Sequence, residues 1–165
     1  QSPMAFVADK RLKANLRAAL LTADPGTVLS VKAYVGGGHG YLVGWVKDDA
    51  QRTKLEDAAR QVAGLISLAV YLPAKPTGDA APSLTAELKL KAKLAAALRV
   101  AMGGDTPNIA VEVLGSHAVL VGVLGSTAKI QHAGQAARET SGVSGVTSFL
   151  TVPLSGDTKR IGILQ

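Results

Sequence analysis

Residues 36–46 read Gly-Gly-Gly-His-Gly-Tyr-Leu-Val-Gly-Trp-Val, and 78 positions later residues 114–124 read Leu-Gly-Ser-His-Ala-Val-Leu-Val-Gly-Val-Leu. Each stretch is a glycine-bearing turn leading into an apolar run with one glycine inside it. Outward from here, the same offset keeps matching without a gap. Leu12, Lys13, Ala14 and Leu16 meet Leu90, Lys91, Ala92 and Leu94, and Ala18–Leu20 meets Ala96–Leu98. Val31, Ala33 and Val35 meet Ile109, Val111 and Val113, while Ala58–Arg60 meets Ala136–Arg138 and Gly64 meets Gly142. Roughly a third of positions 9–72 are identical to their partners, and a period this long means two tandem small domains, not a solenoid.

Each copy predicts the same elements. Leu12, Leu16 and Leu20 recur at helical spacing over 9–22 and stop before Pro25-Gly26; the second copy repeats this over 85–102 up to Gly103-Gly104. Strands follow at 28–35 and 41–46, and at 109–114 and 118–124, joined by the glycine turns. A second helix starts at Asp48 or Asp49 in one copy and at Ser126 in the other, residue types that cap helix N-termini, and Gly64 and Gly142 end those helices. Last strands are expected at 65–72 and 145–152. The fold class is α+β: two tandem αββαβ sandwiches, each a three-stranded mixed sheet with two helices. The expected boundaries are 1–73 for the first unit, 74–83 for a linker marked by Pro73, Pro76, Gly78 and Pro82, 84–153 for the second unit and 154–165 for a tail. The tail's apolar stretch 161–164 is expected to dock on one repeat.

This order resembles the BON domain. The resemblance rests on Gly-x-x-x-Leu-x-Gly-x-Val (Gly38, Leu42, Gly44, Val46) and on an Ala-Ala-Arg helix running into Gly-Leu (Ala58, Ala59, Arg60, Gly64, Leu65). The second copy carries Leu120, Gly122 and Leu124, then Ala136, Ala137, Arg138, Gly142 and Val143, and departs at Ser116, where the pattern has its first glycine. The resemblance covers 9–152. It implies a non-enzymatic bacterial envelope protein, periplasmic or lipid-anchored at the outer membrane, that binds phospholipid surfaces and supports envelope integrity or stress tolerance. It implies no cofactor.

Composition bounds the chemistry. The 165 residues contain no Cys, which excludes a disulfide scaffold and Cys-ligated zinc or iron–sulfur sites. No apolar run reaches the roughly 18–20 residues of a transmembrane helix. The chain opens on Gln1, from which a start Met and a signal or anchor segment are expected upstream. Aromatic residues are only 4% of the chain, too few for a base-stacking platform, so nucleic acid is not the expected partner.

Three motifs are read structurally. His39 and His117 share a turn position and His132 lies on a helix, but no Cys or spaced carboxylates join them as metal ligands. Ser126-Thr-Ala-Lys129 has the Ser-x-x-Lys spacing of penicillin-binding enzymes without their companion elements, and helix capping accounts for Ser126. Gly36–Gly40 joins strand to strand, not strand to helix, so it is a hairpin and not a phosphate loop. Gly44 and Gly122, inside strands, are expected to admit a closely packed helix.

The net charge of +6 has an address. Residues 9–21 and 85–102 each hold four basic residues and one acidic, so the two first helices carry the whole excess. Lys10, Lys13 and Arg17 fall opposite Leu12, Leu16 and Ala19; Lys89 and Lys93 share the polar face, with Lys91 and Arg99 nearer the apolar border. The run Tyr41–Val46 and its partner Val119–Leu124 are apolar on both faces, where a strand covered on one side alternates. Packing between the repeats is the favoured cover, with Tyr41 and Trp45 as an exposed remnant. Lys10, Lys13, Arg17, Lys89, Lys93, Arg99, Tyr41 and Trp45 are therefore the candidate lipid-binding residues, and an anionic phospholipid membrane surface the expected partner. An envelope protein or peptidoglycan-associated partner is the alternative, and a cytoplasmic small-ligand or ion binder a third.

Overall fold

The computed structural model describes residues 3–153; the apolar tail stretch 161–164 lies outside them. Helix α1 spans Pro3–Ala23, beginning before the periodic leucines. It stops because Pro25 has no N–H to continue it and pushes Asp24 into extended backbone. The Asp24 carboxylate accepts from the Gly26 N–H and starts a 3-10 turn over Pro25–Leu29. That turn corrects the expected start of the first strand: β1 is Val31–Gly36, and Leu29 is 89% exposed.

Strand β2 (His39–Gly44) pairs antiparallel with β1, α2 covers Asp49–Arg60, and β3 (Ser67–Tyr71) returns parallel to β2. The second half repeats this with α3 (Leu84–Met102), β4 (Ile109–Leu114), β5 (His117–Val123), α4 (Thr127–Arg138) and β6 (Gly145–Thr151). The sheet orders are β1-β2-β3 and β4-β5-β6, two mixed three-stranded sheets with two helices each. Asp48 and Ser126 cap α2 and α4, accepting from the Gln51 and Lys129 amides. The helices end at Arg60 and Arg138, not at Gly64 and Gly142; those glycines, at φ of +96° and +99°, turn the chain toward the last strand.

The hairpin turns explain the departure at Ser116. Gly36 pairs with His39, and both residues between them, Gly37 and Gly38, have positive φ, as a type I′ turn requires. In the second half Leu114 pairs with His117 and only Gly115 has positive φ, the pattern of a type II′ turn, which accepts serine at its second position. Each turn is held by the acid at the same position of the preceding helix. Asp9 accepts from the Gly37 and Gly38 amides, and Glu87 from the Gly115 amide.

Each half has its own core. In the first, Leu16 and Leu20 of α1 meet Leu42, Leu55 and Ala59; in the second, Leu94 and Leu98 of α3 meet Leu120, Ala133 and Ala137. A third cluster lies between the sheets and consists of Tyr41, Val43, Val119 and Val121, with Tyr34, Tyr71, Leu114 and Phe149 beside them. The layers therefore run helix, sheet, sheet, helix, and the doubly apolar strands bury one face under helices and the other in the seam. Contacts across the seam are reciprocal. Val43 and Val121 are equivalents under the 78-residue offset, as are Tyr41 and Val119, so the halves face each other about an approximate twofold axis.

The strand glycines have a different cause from the expected one. A Cβ on Gly44 would sit 2.1 Å from the Ser30 carbonyl oxygen, and one on Gly122 2.0 Å from that of Asn108. What approaches is the backbone leading into β1 or β4, not a packed α-helix.

At the seam, the His117 ring stacks on Tyr71 with centroids 4.6 Å apart, and its Nε2 lies 2.7 Å from Thr147 Oγ1. Burial pushes this imidazole below its usual 6.5. A histidine with a lower pKa folded than unfolded adds nothing above the unfolded value and costs stability as the pH falls below it, down to the folded pKa. Urea unfolding at about pH 7.5 and about pH 5 is thus expected to show a larger acid loss in the parent than in His117→Asn. Equal losses in the two proteins would assign the acid sensitivity elsewhere.

Candidate ligand-binding surface

The cationic side chains of the first helices divide into two groups. Lys10, Lys89 and Arg99 are exposed. Lys93 is exposed too, and its Nζ donates to the Ser141 carbonyl at 3.1 Å, tying α3 to the end of α4. Lys13, half-buried, and Arg17, itself exposed, line a cleft of about 260 Å³ between the halves, together with Lys32, Tyr34, Lys91 and Glu112. Within it the Lys13 Nζ stands 5.5 Å above the Tyr34 ring centre, a cation–π contact. Lys91 pairs with Glu112 at 3.5 Å, and the Tyr34 hydroxyl donates to the other Glu112 oxygen. Burial and the Glu112 carboxylate both raise the Tyr34 phenol above its usual range, so it stays a donor.

The two aromatic candidates are corrected. Tyr41 is 7% exposed and stacks on Phe149 at 5.6 Å, inside the seam. Trp45 is half-buried, and its indole N–H donates to Glu87 at 3.0 Å, so it bridges the halves. Neither is an exposed remnant, because the other half covers them. Other large apolar side chains are exposed, among them Leu84 and Leu88, one turn apart on α3, and Leu21, which lines the cleft.

Lys32 and Glu112 escaped the sequence reading. Lys32 and Tyr34 share a strand face by their spacing of two, and Tyr34 and Glu112 are equivalents at the offset of 78. That equivalence is the signal: in a twofold arrangement, a residue near the axis meets its own counterpart.

The histidines serve local contacts. His39 Nδ1 lies 2.6 Å from Ser67 Oγ, and His132 Nε2 3.1 Å from the Ala101 carbonyl. Among the described residues no three His, Asp or Glu gather as metal ligands.

The family model of the BON domain matches residues 8–67 and again residues 86–153. The chain belongs to the BON domain family. Its two BON domains are the two halves described above, and BON domains are non-catalytic modules associated with membrane and phospholipid binding, typically in periplasmic proteins. No curated protein matches the chain. Among solved structures it is similar to CdsD, a structural protein of the type III secretion system of Chlamydia trachomatis, at 16% identity and a TM-score of 0.38, over 93% of this chain and 68% of that one. The C-terminal domain of the same protein gives 18% identity and a TM-score of 0.35, over 82% of this chain and 63% of that one. Likeness at that level assigns the tandem BON chain no role. Among the described residues no helix is long and apolar enough to cross a membrane.

Proposed function

We propose that this tandem BON protein works at a bacterial envelope as a non-enzymatic binder of anionic phospholipid surfaces, in the periplasm or lipid-anchored at the outer membrane, supporting envelope integrity or stress tolerance. The observation that carries the reading is the placement of charge: the entire net excess sits on α1 and α3, with Lys10, Arg17, Lys89 and Arg99 exposed. Each such cation contributes about 1 kcal/mol near an anionic surface, and salt weakens the sum. Exposed Leu21, Leu84 and Leu88 on the same two helices supply shallow apolar insertion. The rival, an interaction module for a protein or peptidoglycan-associated partner, drew its sequence support from the doubly apolar strands. The seam already covers those strands.

Vesicle cosedimentation tests the reading. Binding is expected to anionic and not to neutral vesicles. Replacing Lys10, Arg17, Lys89 and Arg99 by Gln should lower affinity on the order of a thousandfold, from about 1 kcal/mol each. Equal binding to both vesicle types, or indifference to the four changes, sinks it.

A further inference from the structure

The cleft holds more positive charge than it neutralises. Of its four cations only Lys91 has a carboxylate, and that carboxylate, Glu112, is fully used by Lys91 and Tyr34. Lys13 rests on the Tyr34 ring, and Arg17 and Lys32 have no ion pair or hydrogen bond among the described residues. Like charges gathered against a concave wall repel one another, and a bound anion relieves that repulsion.

We propose that this cleft is a binding site for one phosphate-ester group, held by Lys13, Arg17 and Lys32 from the first BON domain and completed by Lys91 from the second. The chemistry favours a phosphate over a lone carboxylate because its tetrahedral oxygens spread toward separate cations, where a planar carboxylate does not, and the Arg17 guanidinium engages two oxygens in a fork. The size fits a headgroup: about 260 Å³ is just below the range of small-molecule pockets. Leu20 and Leu21 line the same cleft and suit the carbon atoms next to an ester. Among the described residues there is one such site. At the positions equivalent to Arg17 and Lys32 the second domain has Ala95 and Ala110, so the twofold arrangement does not duplicate the cation set. The inference rests on the proposed lipid reading for the ligand's source, since the phosphodiester of a phospholipid headgroup and the monoester of a free phosphate ester both offer a tetrahedral anion with at least two non-bridging oxygens.

The test is a titration of the full chain with glycerol 3-phosphate and, separately, with monomeric short-chain phosphatidylglycerol, followed by backbone amide NMR. Saturable shifts at Lys32, Tyr34 and Glu112, with one ligand per chain, are expected. Arg17→Ala with Lys32→Ala should weaken binding about tenfold or more, each lost contact being a charge-assisted hydrogen bond. Lys32→Ala alone should weaken it severalfold and guards against a fold defect in the double variant, while Lys54→Ala on α2 should leave it unchanged. No saturable shift, no effect of Lys32→Ala, or equal binding of chloride overturns the site. In that case vesicle binding that still depends on Lys89 and Arg99 leaves the surface reading standing. If glycerol 3-phosphate saturates the cleft while neither short-chain lipid nor anionic vesicles bind, the site stands with a free phosphate ester as its ligand, and the membrane reading falls.

Discussion

Val119→Asp is expected to part the two BON domains while leaving each folded. Val119 is 0% exposed and lies in the cluster between the sheets with Tyr41, Val43 and Val121. A carboxylate there loses its water and finds no cation among those neighbours, a burden of about 3 kcal/mol or more. The chain escapes it by opening the seam. The cores beneath the helices do not depend on that seam, since Leu16, Leu42 and Leu55 pack in one domain and Leu94, Leu120 and Ala133 in the other. Far-ultraviolet circular dichroism should therefore be retained and the radius of gyration from small-angle X-ray scattering should rise. The urea midpoint should fall, because a domain of this size alone is marginally stable. Phosphate-ester binding in the cleft should weaken with it, as Lys91 comes from the second domain and Lys13, Arg17 and Lys32 from the first. An unchanged radius and midpoint would show that the interface contributes little and that the domains are held by something else.

Much of this architecture is legible in the sequence because its signals are local. Helix caps at Asp48 and Ser126, the glycine hairpins and the spacing of Leu12, Leu16 and Leu20 each act within a few residues, and the offset of 78 doubles every one of them. The seam is legible too, since strands apolar on both faces demand two covers. What fails is what depends on the identity of the cover. Tyr41 and Trp45 read as a remnant because nothing near them in sequence announces Phe149 or Glu87. The first strand reads as starting three residues too early because Val28 and Leu29 favour strands, whereas Asp24 capping Gly26 and Pro25 at the start set a 3-10 turn there. Lys13 and Arg17 are found by charge periodicity. Lys32 and Glu112 are not, because only the meeting of the domains turns two edge-strand residues into walls of one cleft.

The strand glycine gives the other large effect. Gly44→Ala is expected to lower unfolding free energy by about 3 kcal/mol, at the upper end of what overpacking costs in a filled interior. The added Cβ would stand 2.1 Å from the Ser30 carbonyl oxygen and 2.6 Å from the Val31 Cα. Both obstacles are backbone, so no rotamer change makes room. Backing away means moving the chain that enters β1, where Trp45 donates its N–H to that same Ser30 carbonyl at 3.2 Å and Val31 pairs with Gly44. Relief of the clash therefore breaks the start of the β1–β2 ladder. It also displaces Lys32, next in the strand, so the cleft loses affinity for phosphate esters along with stability. Gly104→Ala is the matched control: nothing lies within 4 Å of its added Cβ, and a change within about 0.5 kcal/mol is expected there. Chemical unfolding of the two variants beside the parent decides the matter. A Gly44→Ala protein as stable as Gly104→Ala would mean that β1 can shift freely, and that the glycine shared by both BON domains at this position is not required by the approach of Ser30 and Asn108.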